Sequence, residues 1–203
     1  MFAKKLILIA LLVGMPLAAF ANSNVDFSNV GGTLTGSNSG LSLAGSTLIA
    51  INGLNGGGLV TGNLGSLSFS TGSLMSGSTS MGGTFATGGS FTIVGNGSNG
   101  VPSGAIFSGT FSTPAVWTMV TLPNGSHNYT LTATVTGTWL NGATVSGATV
   151  QLSVNTGKGF FNGRTSLASG DTNIVVVPEP GSLTLLGTGL MGLAGVVRRK
   201  FAR

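Results

Sequence analysis

The chain has 203 residues, many glycines and no cysteine, and its formal net charge is +5. Most of the charge lies at the two ends, because between residues 22 and 177 only Asp26, Lys158, Arg164 and Asp171 are charged. Thiol chemistry is therefore excluded, and without a basic patch to neutralise phosphates the middle of the chain is not expected to bind nucleic acid.

Residues 1–21 have the layout of a secretory signal peptide. Two lysines precede an apolar run at residues 6–13, and Pro16 follows that run. Ala19 and Ala21 then supply small side chains at the two positions that signal peptidase accepts. The apolar run is too short to cross a hydrocarbon core of about 30 Å. We predict cleavage after Ala21 by signal peptidase and export of the remaining chain across the inner membrane.

Between residues 22 and 177 short β-prone runs alternate with glycine-rich turns, and no helical period appears. Glycine at this density disfavours helices. The N-terminal half contains short candidate strands, at residues 25–27, 41–43, 47–51, 59–60, 67–69 and 91–94. Many short strands separated by turns are typical of an all-β fold, here a glycine-rich antiparallel β-sandwich or jelly-roll. The alternative is a β-solenoid, although we find no fixed repeat period.

The clearest strand pattern lies in the C-terminal half of this region. Residues 129–140 alternate apolar side chains with threonines, as expected for a half-buried antiparallel strand. An Asn-Gly pair at residues 141–142 predicts a hairpin turn, and residues 145–155 repeat the alternation. With further candidate strands at 105–111 and 116–122, the pattern predicts a four-strand meander.

Three large aromatic residues of this region fit two interpretations: Trp117, Tyr129 and Trp139. All three lie in alternating strands, where aromatic side chains usually fill the core of a small β protein. If they were exposed, they would form a platform on which sugar rings stack, and the chain would be a carbohydrate- or exopolysaccharide-binding module. We favour the core interpretation.

No catalytic set is recognisable. His127, the only histidine, lies in a predicted exposed turn, and Asp26 and Asp171 are the only carboxylates of the middle region. Glycosidases need two acidic groups beside the cleaved bond, and calcium sites usually gather several carboxylates. Because these two aspartates are far apart in sequence, we expect them to cap turns instead. The prediction is a protein that is not an enzyme and has no metal site or cofactor.

Residues 178–203 fall into three consecutive parts. The first is a short proline motif that ends the preceding apolar run, and it consists of Pro178, Glu179 and Pro180. Residues 183–197 are uncharged and predict a transmembrane helix. The basic end at residues 198–203 includes three consecutive cations, Arg198, Arg199 and Lys200. By the positive-inside rule these cations remain in the cytoplasm, so the middle of the chain lies outside.

This order of parts resembles the PEP-CTERM sorting domain of Gram-negative bacteria, over about residues 177–203. Proteins with that domain are taken to be substrates of exosortase, a membrane-embedded cysteine protease that cuts near the motif. The resemblance implies a transient membrane anchor, removal of the tail, and release or transfer to the cell surface or extracellular matrix. We therefore expect a signal peptide (1–21), an exported β domain (22–177) and a sorting tail (178–203) in a structural protein of the surface or matrix.

Overall fold

The computed structural model describes residues 23–176, which form thirteen strands and one short 3₁₀ turn at Leu54–Gly56. The strands are β1 (Ser23–Val30), β2 (Thr33–Ser37), β3 (Gly40–Asn52), β4 (Val60–Ser70), β5 (Leu74–Ser78), β6 (Gly82–Phe85), β7 (Gly88–Asn96), β8 (Ser103–Phe111), β9 (Ala115–Thr121), β10 (His127–Trp139), β11 (Thr144–Asn155), β12 (Arg164–Ser166) and β13 (Ser169–Val176). Each strand pairing is antiparallel. The all-β prediction is confirmed.

Eight of the strands close into a ring. They pair in the order β1, β3, β4, β7, β8, β10, β11 and β13, and β13 pairs back to β1. Ring closure satisfies the backbone groups that an open sheet would expose at its edges. The architecture is therefore an antiparallel barrel-like or sandwich-like sheet around one core, and the β-solenoid alternative does not describe it.

Two small groups of strands extend the ring. The C-terminal half of β3 pairs with β1, and the N-terminal half of β3 pairs with β2. β2 also pairs with β12. In the same way β10 pairs with β8 over its C-terminal half and with β9 over its N-terminal half. β9 in turn pairs with β6, and β6 pairs with β5. Each long strand thus joins the ring to an extension.

The predicted meander is confirmed for three of its four strands. β10 and β11 form a long hairpin in which Tyr129 faces Val154 and Leu131 faces Leu152, and the turn contains Asn141 as predicted. β9 also pairs with β10. However, β8 pairs with β10 and β7 rather than with β9. β8 and β9 share one edge of β10, so they lie end to end along it.

Apolar side chains fill the interior, and aromatic rings dominate two parts of it. One cluster has ring centroids 5.7–6.4 Å apart and consists of Phe69, Phe91, Phe107 and Phe111. The other places Trp117 and Tyr129 in a stack 5.0 Å apart, with Phe161 against both rings. Most of the contacts in the first cluster are edge-to-face, the arrangement that the aromatic quadrupole favours.

Candidate functional sites

The three aromatic residues considered as sugar contacts are buried. The exposed fraction is 1% for Trp117, 0% for Tyr129 and 7% for Trp139, and Trp139 packs edge-on against Phe27. No face of these rings is available for stacking on a sugar. The platform interpretation is therefore corrected, because alternation along β9 and β10 points these side chains into the core.

The polar atoms of two of these rings bind the segments that cover them. The Trp117 indole N–H donates to the Thr79 carbonyl oxygen at 2.8 Å, and the Tyr129 hydroxyl donates to the Ser80 carbonyl oxygen at 2.6 Å. The Tyr129 hydroxyl oxygen also accepts the Phe161 backbone N–H at 3.0 Å. These bonds hold the β5–β6 turn and the loop after β11 over the stacked rings, so the polar atoms have a structural role.

His127 is not the exposed turn residue that the sequence predicts. It is the first residue of β10 and is only 8% exposed. Its ring stacks on Phe160 at 4.3 Å, and its Nδ1 shares a hydrogen bond with the Thr121 hydroxyl at 3.1 Å. Phe160 comes from the loop after β11, which the sequence did not place near the histidine. The exposed Phe160 ring covers the histidine and removes it from solvent.

The two aspartates do come together, contrary to the expectation from their distance in sequence. In the β1–β13 ladder Asp26 faces Asn173, and Ser28 faces Asp171, so the two carboxylates are diagonal neighbours on the outer face of the sheet. The Ser28 hydroxyl donates to the Asp171 carboxylate at 2.8 Å. The sequence carries no local signal for this pair, since only the β1–β13 register creates it.

The environment of Asp26 favours its neutral form. Partial burial raises the pKa of Asp26 above its usual value of 3.8, and the nearby Asp171 charge raises the pKa further, while a backbone hydrogen bond from Phe27 opposes both effects. The pair lies on an open sheet face, and in the described residues 23–176 no cluster of three or more potential metal ligands is found.

The histidine and the aspartates lie on opposite faces of the sheet. His127 is on the same face of β10 as the buried Tyr129, whereas Asp26 and Asp171 are on the exposed face of β1 and β13. A catalytic triad requires hydrogen-bond contact between its members. The structure does not bring these three titratable residues together.

A shallow groove of about 310 Å³ lies where β2, β3 and the end of β4 meet. Its polar lining consists of hydroxyl side chains, from Thr35, Ser37, Ser39, Ser42, Ser70 and Thr71. Several of these hydroxyls already bond within the protein: Thr35 bonds Ser42 at 2.8 Å, and Thr71 accepts the Leu41 N–H at 3.0 Å. The groove therefore has no charged lining residue, and part of its hydroxyl lining is already hydrogen-bonded within the protein.

The first and last residues of the described chain are partners in one ladder. Ser23 faces Val176, Asn24 faces Val175 and Val25 faces Ile174. The chain therefore enters and leaves the β body at the same place. Residues 174–176 of the apolar run before the proline motif lie in β13, and the sequence alone did not identify β1 as their partner.

Comparison with known proteins identifies the C-terminal segment. A family model described as the PEP-CTERM protein-sorting motif matches residues 176–200. Searches of curated proteins and of solved structures gave no match. The match covers the tail and begins at the last residue of β13, so it identifies a sorting motif that follows the β body directly in the sequence.

The remaining predicted sites lie outside the described residues. These are the signal-peptidase positions Ala19 and Ala21, the motif residues Pro178, Glu179 and Pro180, and the cations Arg198, Arg199 and Lys200. The predicted transmembrane helix at 183–197 also falls outside. Within residues 23–176 no helix is long and apolar enough to cross a membrane.

Proposed function

We propose that this chain is exported, held transiently in the membrane by its C-terminal segment, and cut there by an exosortase-type protease. The observation that carries the proposal is the match of residues 176–200 to the PEP-CTERM protein-sorting motif. A leader with a signal-peptidase pattern precedes the β body, and an uncharged run followed by cations ends the chain. Together these segments specify export followed by sorting at the membrane.

The β body released by this processing is proposed to be a structural component of the cell surface or extracellular matrix rather than an enzyme. Its four charges sum to zero, and its polar surface comes from hydroxyl and amide side chains. The outer face of β10, for example, presents five threonines. Such a surface exchanges hydrogen bonds with neutral polysaccharide without repelling or attracting charged neighbours.

The sorting step is tested by following the C-terminus of the chain in its host. We expect the wild-type protein to lose its tail and reach the cell surface. A variant with Pro178→Ala, Glu179→Ala and Pro180→Ala together should remain full length in the membrane fraction. Replacing a proline of a surface turn, Pro123→Ala, is the matched control and should leave processing unchanged. Mass spectrometry of an intact Arg203 terminus on the surface protein would contradict the proposal.

The matrix assignment is tested by extracting the processed protein from the cell surface. Because the body has no net charge, high salt should not release it, whereas enzymatic digestion of the surface polysaccharide should. A deletion of residues 178–203 should secrete the same body without a membrane stage. Release of the processed protein by salt alone would show that charge, rather than the polysaccharide network, retains it.

A further inference from the structure

The sorting motif and the folded sheet overlap at one residue. The matched segment begins at Val176, which is also the last residue of β13 and the partner of Ser23 in β1. Only Val177 separates this paired residue from Pro178. The segment that the protease must reach is therefore joined to the sheet without a linker.

The C-terminal end of β13, residues 174–176, pairs with β1 alone. β11 pairs with β13 at residues 169–173, whereas β1 continues the pairing to residue 176. The Ile174 side chain is fully buried in the core opposite Val25, which is also buried. The first strand of the mature chain therefore holds the end of β13 in place.

Proteases usually bind a peptide in an extended form and pair with its backbone over several residues around the cut bond. A cut close to the motif would require the end of β13 as part of that peptide. While β1 is paired to it, one backbone edge of this segment is occupied and Ile174 is anchored in the core.

We propose that pairing of residues 23–25 of β1 with residues 174–176 of β13 controls access of the sorting protease to the tail. The inference rests on the proposed processing by exosortase and adds its regulation. Cutting occurs when this strand end is open, either before the ring closes or during local opening of the ladder. Local openings of this kind at strand ends are common in folded proteins.

A disulfide across the strand end tests the proposal. The natural chain has no cysteine, so Asn24→Cys with Val175→Cys introduces a single cross-link between facing residues of the ladder. Facing residues in antiparallel strands have the Cα separation that a disulfide needs. The matched control is Ser28→Cys with Asp171→Cys, which links the same two strands at the far end of the ladder.

Full-length wild-type and variant chains would be purified from host cells that lack the protease, and disulfide formation would be verified by mass. Each is then incubated with membranes containing the protease, with and without reductant. We expect the oxidised Asn24/Val175 variant to be cut at least about tenfold more slowly than wild type, because the cross-link suppresses local opening. Reductant should restore its rate, and the Ser28/Asp171 control should be cut at the wild-type rate.

Cutting of the oxidised Asn24/Val175 variant at the wild-type rate would overturn the proposal. Resistance in the far-end control as well would also overturn it, since opening of the strand end would then not be the limiting event. If the wild-type chain is not cut at all, unfolding it with urea before dilution separates two cases. Cutting only after unfolding supports control by the fold, whereas no cutting in either state rejects the proposed processing itself.

Discussion

At the scale of single residues, the two aspartates are the least expected feature of the molecule. They lie near opposite ends of the body sequence, yet the β1–β13 register makes them diagonal neighbours. Burial and the Asp171 charge raise the pKa of Asp26 above 3.8. A carboxyl whose pKa is higher in the folded state than in the unfolded state destabilises the fold when it is ionised.

The destabilisation of the fold by Asp26 depends on pH, because only the ionised carboxylate causes it. At pH values well below 3.8 Asp26 is protonated in both states and contributes no penalty. As the pH rises through the raised folded-state pKa, the unfolded chain releases the proton more readily, so stability falls. The penalty is complete once the pH is well above the folded-state pKa.

We expect Asp26→Asn to raise the melting temperature at about pH 7 and to leave it unchanged at about pH 3, where no charge is removed. Thermal unfolding of the purified β body at both pH values, followed by tryptophan fluorescence, measures this. In an Asp171→Asn background the gain should be smaller, because one of the two causes of the shift is then absent. A gain of equal size at both pH values would mean that the charge of Asp26 is not its source.

At the scale of strands, the sequence predicted best those elements whose alternation is uninterrupted. In β10 the residues Tyr129, Leu131, Ala133 and Val135 are all buried, and threonines occupy the other face, as predicted. Local side-chain alternation and a hairpin turn were sufficient here, because β11 follows directly in the chain. The pairing thus required no information from distant residues.

Strand β3 shows why the N-terminal half was harder to predict. The sequence pattern indicated two short strands, at residues 41–43 and 47–51, but the structure has one strand of 13 residues. A register shift between Leu43 and Ser46 reverses the alternation, so that odd-numbered residues are buried before it and Ser46 and Leu48 are buried after it. A bulge that inserts a residue cannot be distinguished from a strand end by periodicity alone.

Tyr129 connects three elements through one hydroxyl. It lies in β10, donates to the Ser80 carbonyl of the β5–β6 turn, and accepts the Phe161 N–H from the loop after β11. Neither of these two contacts was predictable, since both partners are in turns that pack against β10 from distant parts of the sequence. The hydroxyl thus supplies a polar link between segments that no strand pairing joins directly.

We expect Tyr129→Phe to lower the free energy of unfolding by about 1–3 kcal/mol, because it leaves a partly buried carbonyl and a buried N–H without their partner. Urea unfolding measures the loss, and hydrogen exchange at the Phe161 amide should accelerate. Ser112→Ala is the control, because it removes one hydroxyl that bonds the Thr134 carbonyl at an exposed position and should cost less than about 0.5 kcal/mol. Equal costs for the two variants would contradict the role assigned to Tyr129.

At the scale of the whole molecule, ring closure was beyond the reach of sequence analysis. The pairing of β1 with β13 joins the two ends of the body, and its register depends on the geometry of all the strands between them. Both the diagonal aspartates and the position of Val176, the first residue of the matched segment, opposite Ser23 follow from this one pairing. The tail itself was recognisable because its three parts are consecutive in sequence.

If the closed ring of strands determines the fold and the position of the chain ends does not, a circular permutation should fold. In such a variant the present ends are joined and new ends are made in another loop. Ser23 and Val176 face each other, so a two-residue Asn-Gly turn is long enough to join them. New ends placed between Gly58 and Leu59 fall in an exposed loop, where Gly58 has open space around it. Exposed loops of this kind usually tolerate new chain ends.

We expect this permuted body, with the leader and tail removed, to unfold cooperatively with a melting temperature close to that of the unpermuted body. In the natural chain the ring closes when its first and last strands, β1 and β13, pair. In the permuted chain the first and last strands are β4 and β3, so the ring still closes by one pairing between the two ends of the chain. A second permutant opened between Ser108 and Gly109 interrupts β8 where it pairs with β7 and β10, and it should not fold. A first permutant without cooperative unfolding would show that β1 and β13 need their free ends, and so would contradict the idea that ring closure alone specifies this fold.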